Sequence, residues 1–212
     1  GMTYVFDNIS IIYKNIGEFN KANDYLKKSM AISEKLGHKA DFANSHSLLA
    51  HNYTMLGEYD KAIVYYTYSL KISEELKEMR KVGNDNNYLG LVFFYKNDYN
   101  NAEKYLKMAI KIFGETGDKL LLVESYTYLY LIYKNIGKEY DEKIIQSWIK
   151  DNKNIAGNVY YHLYLLLEDI NYLEKAYNDL QEQVKQIKDD LKAKFLSCPI
   201  PKAIVEEWEK VK

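Results

Sequence analysis

Aromatic and small side chains recur along this chain at a spacing of 40. Aromatics stand at Tyr13, Tyr53, Phe93 and Tyr133, and four residues beyond them come Gly17, Gly57, Asn97 and Gly137. The segments that follow read Gly17-Glu18-Phe19, Gly57-Glu58-Tyr59, Asn97-Asp98-Tyr99 and Gly137-Lys138-Glu139. Small residues then recur at Ala22, Ala62 and Ala102, and again at Ser29, Ser69 and Ala109. This pattern predicts pairs of amphipathic helices. The first helix ends at the Gly or Asn, which tolerates a left-handed conformation. The acidic residue opens the second helix, where the dipole favours negative charge. The small residues let the two helices lie close. One such hairpin cannot bury its apolar face alone, so it must stack on the next.

Four units are expected at about 3–38, 43–78, 83–116 and 120–152, with 153–212 forming a C-terminal extension of the same elongated domain. The fold class is therefore all-α: an α-solenoid of antiparallel helical hairpins. The fourth unit is degenerate in its second helix, where Glu142 replaces the small residue and Ile144–Trp148 is bulky. A fifth hairpin is expected from about Ile155–Glu168 and a long helix starting near Asn171 and running to about Lys194. Along it, Leu173, Tyr177, Leu180, Val184, Ile187 and Leu191 follow heptad spacing. That stripe suits either a capping helix laid on the solenoid or a homodimer seam. Pro199 and Pro201 stop the helix, and a short last helix at about Lys202–Lys210 is expected to plug the end of the stack.

The motif carried by Leu49-Ala50, Tyr53, Gly57-Glu58-Tyr59, Ala62, Tyr66 and Ser69, with its counterparts one unit before and after, resembles the tetratricopeptide repeat family. The family's usual period is 34. Here the extra residues fall at Glu34–Asp41, Glu74–Lys81 and Gly114–Leu121, which implies lengthened helices. The resemblance implies a right-handed superhelix whose first helices line a concave groove, where partner peptides lie. The tail from Phe195 to Trp208 resembles the ends of repeat regions attached to bacterial nucleotide cyclases and protein kinases. With no capping helix ahead of Thr3, the sequence is expected either to be the C-terminal part of a longer protein or to begin abruptly at the first repeat.

Composition narrows the function. The chain has 212 residues, with 29 basic against 30 acidic side chains, so bulk charge forecasts neither a nucleic-acid nor a membrane-surface partner. No apolar run reaches the roughly 18 residues that span a bilayer. A single cysteine, Cys198, points to a reducing compartment, and the cytoplasm is expected. The chain holds 22 tyrosines, the side chain suited to sites that are packed at one end and wet at the other.

Catalytic signatures are missing. The four histidines, His38, His46, His51 and His162, form no His-Glu-x-x-His pair, and one cysteine cannot build a structural zinc site. Gly114-Glu115-Thr116-Gly117-Asp118-Lys119 lacks the spacing of a phosphate-binding loop. No catalytic residue, metal or cofactor is expected.

The working surface should then be the inward face of the first helices. Asn8, Asn44, Ser47, His51, Asn84, Asn87, Tyr88, Tyr95 and Tyr128 fall on it, with Lys14, Leu91 and Glu124 in the same phase. Asn offers both donors and an acceptor, which suits a peptide backbone. The tyrosines add the flat apolar area typical of binding hot spots. Few cations face inward, so a carboxylate-terminated partner lacks a clamp. His51, at its ordinary pKa of about 6.5, would add a pH-sensitive charge. The expected function is an intracellular bacterial protein-interaction scaffold, binding an extended peptide or a partner helix, or a catalytic domain in the same full-length chain. A bacterial signalling-peptide receptor and a dimerisation module through the C-terminal helix are the alternatives.

Overall fold

The computed structural model describes residues 1–151 and 155–212. Helices α1 (Met2–Asn15) and α2 (Phe19–Leu36), α3 (Lys39–Met55) and α4 (Tyr59–Leu76), and α5 (Met79–Tyr95) and α6 (Tyr99–Thr116) form three closely similar hairpins. Helix α7 (Lys119–Ile136) pairs with the short α8 (Glu142–Asp151), and α9 (Gly157–Leu167) with α10 (Ile170–Lys185). Helices α11 (Asp189–Leu196) and α12 (Pro199–Val211) complete the chain.

The turns close by one device. After Tyr13, Tyr53 and Phe93, the amide five residues on donates back to that residue's carbonyl: Glu18 at 2.8 Å, Glu58 at 2.9 Å and Asp98 at 3.0 Å. This six-to-one bond needs a left-handed residue just before the donor. Gly17 supplies it at φ 80° and Asn97 at φ 59°. The links between hairpins repeat the device, with Gly37 and Gly117 in the left-handed region and Lys77 at φ 57° in the same place. Those links are only two residues long, so the residues beyond the family's usual period have gone into the helices. The helices of the first three hairpins run 14 to 18 residues.

Packing follows the same period. Ala22, Ala62 and Ala102 are fully buried where the helices of each hairpin meet. Above them one aromatic stacks on another twelve residues away: Tyr13 on Tyr25 at 5.4 Å, Tyr53 on Tyr65 at 5.5 Å and Phe93 on Tyr105 at 5.5 Å. The third hairpin is tightest. A Cβ added to Gly90 would lie 2.6 Å from Leu106 Cγ, a buried neighbour with no room to retreat. Gly90→Val should therefore cost about 1–3 kcal/mol by overpacking. Gly114→Ala, on the same hairpin, should stabilise by about 0.5–1 kcal/mol, because its added Cβ meets nothing within 4 Å. Urea denaturation of the two variants checks both signs.

A polar ladder joins successive first helices. Ser45 Oγ lies 2.9 Å from Asp7 Oδ1, Ser47 Oγ donates to Asp85 Oδ1 at 2.9 Å, and Ser125 Oγ donates to Asn87 Oδ1 at 2.7 Å. Each rung spans 38 residues. Ser29 and Ser69 of the second helices join in, Ser29 2.9 Å from Ser45 and Ser69 donating to Asp85 Oδ2 at 2.7 Å. The small positions of the repeat thus do more than allow close approach.

The C-terminal region differs from the sequence expectation. The long helix ends at Lys185; residues 186–188 turn, and α11 starts at Asp189. Pro199 does not merely stop a helix but sits in the first turn of α12, where its missing N–H costs nothing. Trp208 of α12 stacks on Tyr177 at 4.9 Å. Leu173, Leu180 and Ile187 are buried, and Tyr177, Val184 and Leu191 pack in the same cluster, together with Phe195, Ile204 and Phe19 of the first hairpin. All six heptad residues are thus covered, at least in part, by the chain itself. α12 does not plug the end of the stack. It lies on α10, and its start faces the first hairpins: a Cβ on Gly57 would be 3.3 Å from Pro199, and one on Gly17 3.7 Å from Phe195. The superhelix curls until its two ends meet. No described helix is long and apolar enough to cross a membrane.

Candidate functional site

The curl encloses a cavity of about 370 Å³ between the concave face and the C-terminal helices. Lys14 and Asn15 of α1, His51, Thr54 and Met55 of α3, Tyr88, Leu91 and Tyr95 of α5, and Glu124 of α7 form one wall. Every one of these lies on the predicted inward phase. The opposite wall is Ala176, Asp179 and Leu180 of α10 with Phe195, Pro199, Ile200, Pro201 and Ile204. Tyr59 and Tyr66 reach in from α4.

The tyrosines brace one another. Tyr66 stacks on Tyr88 at 5.4 Å, Tyr59 on Tyr95 at 5.7 Å, and His51 meets Tyr88 edge-on at 6.0 Å. Tyr95 and Tyr128 share a hydrogen bond at 3.0 Å, and Tyr128 Oη lies 3.2 Å from His162 Nδ1. Rings fixed this way present a preformed apolar surface, so little rotamer freedom is lost on binding. Burial holds the Tyr88 and Tyr95 phenols protonated, far above their ordinary range.

The charged groups sit apart. Burial lowers Lys14, and burial with Lys14 nearby pushes His51 down to about 4. His51 is therefore neutral near pH 7, and the pH-sensitive charge expected of it at about 6.5 is corrected by desolvation. His162, 2% exposed, is likewise held at about 4 by burial, its bond to the Asn158 carbonyl opposing. Burial pushes the Glu124 carboxyl up to about 7, with the Asn87 side chain opposing.

The residues picked from sequence divide. His51, Tyr88 and Tyr95 line the cavity. Ser47 and Asn87 are ladder rungs, and Asn44 donates to Asp7 Oδ2 at 2.9 Å. Asn8 and Asn84 are half-buried on the same helix faces. Tyr128 is fully buried, so it braces Tyr95 and has no surface for a ligand. The sequence places Glu124 on the inward phase but does not mark it as a site residue. Sequence reasoning missed Tyr59 and Tyr66 on α4 and the whole C-terminal wall, which no periodicity signals.

Stacked hairpins around an aromatic concave cavity define a helical-repeat solenoid. The tetratricopeptide repeat family model matches residues 4–36, the first hairpin. The fold of the chain is similar to that of BtubC (BKLC) from P. vanneervenii, at 20% identity and TM-score 0.60 over 85% of this chain and 78% of that one. It is also similar to the apo form of RapI, at 14% identity and TM-score 0.68 over 99% and 85% of the two chains. A kinesin-light-chain-like protein from Podosopora anserina with nearly identical TPR-like repeats matches at 14% identity and TM-score 0.57 over 96% and 95%. No curated protein matches the sequence.

Proposed function

We propose that the protein is a regulatory interaction module that takes a short extended peptide segment into its central cavity. The observation that carries this reading is the partly open cavity of about 370 Å³ walled by braced tyrosines. A helix about 10 Å across would fill that volume in less than one turn. A segment of a few extended residues fits, and this favours the signalling-peptide reading over a docked partner helix. His51 and the phenols provide neutral hydrogen-bonding groups among the rings, which suits an uncharged backbone.

Fluorescence polarisation against a positional-scanning library of labelled hexapeptides tests the proposal. Micromolar binding by wild type is expected. Thr54→Trp should fill the cavity without removing a wall contact, and Tyr88→Ala should remove a ring. Each should weaken binding at least tenfold while circular dichroism shows an intact helical fold. Unchanged affinity in both variants, or no pool binding below about 1 mM, overturns the reading.

A further inference from the structure

We propose that the Glu124 end of the cavity seats an organic cation, the ammonium or guanidinium of a Lys or Arg side chain in the bound peptide. This deepens the peptide-site reading and rests on it. Glu124 lines the cavity, and no cation among the described residues forms an ion pair with it. Among the described residues the one positive side chain in the cavity wall, Lys14, lies on α1 and acts on His51 instead. A carboxylate in a sheltered pocket without a counter-charge is costly unless something else supplies one.

A second observation points to the same place. Tyr66 also lines the cavity, is 1% exposed, and its hydroxyl has no hydrogen-bond partner. The neighbouring Thr54 hydroxyl sends its own proton to the Ala50 carbonyl at 3.0 Å, so it can only accept from Tyr66 and leaves the Tyr66 oxygen without a donor. Buried hydroxyls are normally satisfied, so an orphan facing a cavity marks a missing acceptor or donor. A guanidinium or ammonium bound to Glu124 carries several N–H groups, more than one carboxylate can use, and Tyr66 Oη can accept one of them. The rings of Tyr66, Tyr88 and Tyr95, which line the same cavity, would add cation–π attraction in a desolvated setting. Asp179, exposed on α10 at the cavity's other wall, adds a second negative group that would draw a cation in. The combination of acid, phenol faces and orphan hydroxyl matches a cation and opposes an anion.

The test uses the whole chain and two probes with blocked ends, N-acetyl-L-argininamide and its neutral isostere N-acetyl-L-citrullinamide. The Glu124 side-chain carboxyl is followed by ¹³C NMR across pH, with isothermal titration calorimetry for affinity. The arginine probe should lower the Glu124 titration midpoint by about one pH unit at saturation. It should bind at least tenfold tighter than the citrulline probe and lose that margin in Glu124→Gln. Equal binding of both probes, or an arginine margin that survives in Glu124→Gln, overturns the proposal. So does a titration midpoint that does not move at 100 mM arginine probe. Cadaverine separates the sources. Cadaverine binding that needs Glu124, with no hexapeptide binding, upholds the cation seat and removes the peptide reading. Hexapeptide binding that Thr54→Trp blocks, but that is indifferent to Arg or citrulline, upholds the peptide reading and removes the seat.

Discussion

Ser47→Asp alone is expected to destabilise the protein by about 3 kcal/mol, and adding Asp85→Ser should recover most of that loss. In the wild-type rung, Ser47 Oγ lies 2.9 Å from Asp85 Oδ1, and Asp85 is fully buried. A second carboxylate at position 47 would face the first with little water to screen it, which is unfavourable for both. Asp85→Ser alone should also destabilise, because Ser47 and Ser69 donate to that carboxylate and the Lys81 ammonium lies 3.8 Å from it. The double variant recreates the carboxylate–hydroxyl pattern of the first rung, in which Asp7 faces Ser45 and Ser45 lies beside Ser29, at the cost of the Lys81–Asp85 ion pair. It also gives Asn84 a partner. Asn44 Nδ2 donates to Asp7 in the first rung, and Asn84 Nδ2, in the matching position of the second, would donate to the new carboxylate at position 47. Urea denaturation of the four proteins measures the coupling. A coupling under about 1 kcal/mol would mean that the rungs do not carry the contact between hairpins.

Glu124→Gln should stabilise the protein by about 3 kcal/mol at pH 8 and leave it unchanged at pH 4.5. Burial raises this carboxyl from 4.5 to about 7 in the folded chain. Between those values the folded state holds a proton that the unfolded state has released, so stability falls as pH rises through the window. A shift of that size corresponds to about 3 kcal/mol. Gln cannot ionise, so the difference between the two proteins opens over this window. For a chain of this size it amounts to roughly 6–12 °C in Tm. The groups around Glu124 stay silent there: Tyr66, Tyr88, Tyr95 and Tyr128 remain protonated, and Asn87 carries no charge. His51 and His162 work with the opposite sign. Each is held down to about 4, so its contribution is complete above pH 6.5 and lost as pH falls toward 4. Comparing the two proteins at each pH cancels the histidines. Thermal melts from pH 4.5 to 8 that run parallel would show that Glu124 is not desolvated.

Both predictions concern residues whose roles were only partly legible. Ser47 and Asn87 fall on the inward helix face, and the phase is right. That face, however, is shared between the groove and the neighbouring hairpin, and both residues turn to the neighbour. A hint was present in the sequence: positions 7, 47 and 87 and positions 45, 85 and 125 are all polar, and donor meets acceptor at each 38-residue step. Glu124 was also in phase, but nothing local marks a carboxylate as deprived of a counter-charge. That depends on which cations the fold leaves elsewhere.

What the chain determines by itself is everything governed by a few consecutive turns of helix. The 40-residue phase, the Gly, Asn and acidic turn residues, the buried alanines and the inward-facing His51, Tyr88 and Tyr95 all follow from contacts within a hairpin or between adjacent ones. Those contacts repeat, so the pattern shows through. Only the tertiary structure decides that the stack curls far enough for Phe19 to meet Phe195 and Ile204. A small rotation per hairpin, summed over five, brings the ends together, and no single repeat encodes the sum. The same closure turns an expected heptad stripe into an internal core. It breaks the long helix at residues 186–188 so that α11 and α12 can cross the cavity. An open groove thereby becomes a partly covered cavity, in which a carboxylate, a histidine and several phenols acquire properties that none of them has on an isolated helix.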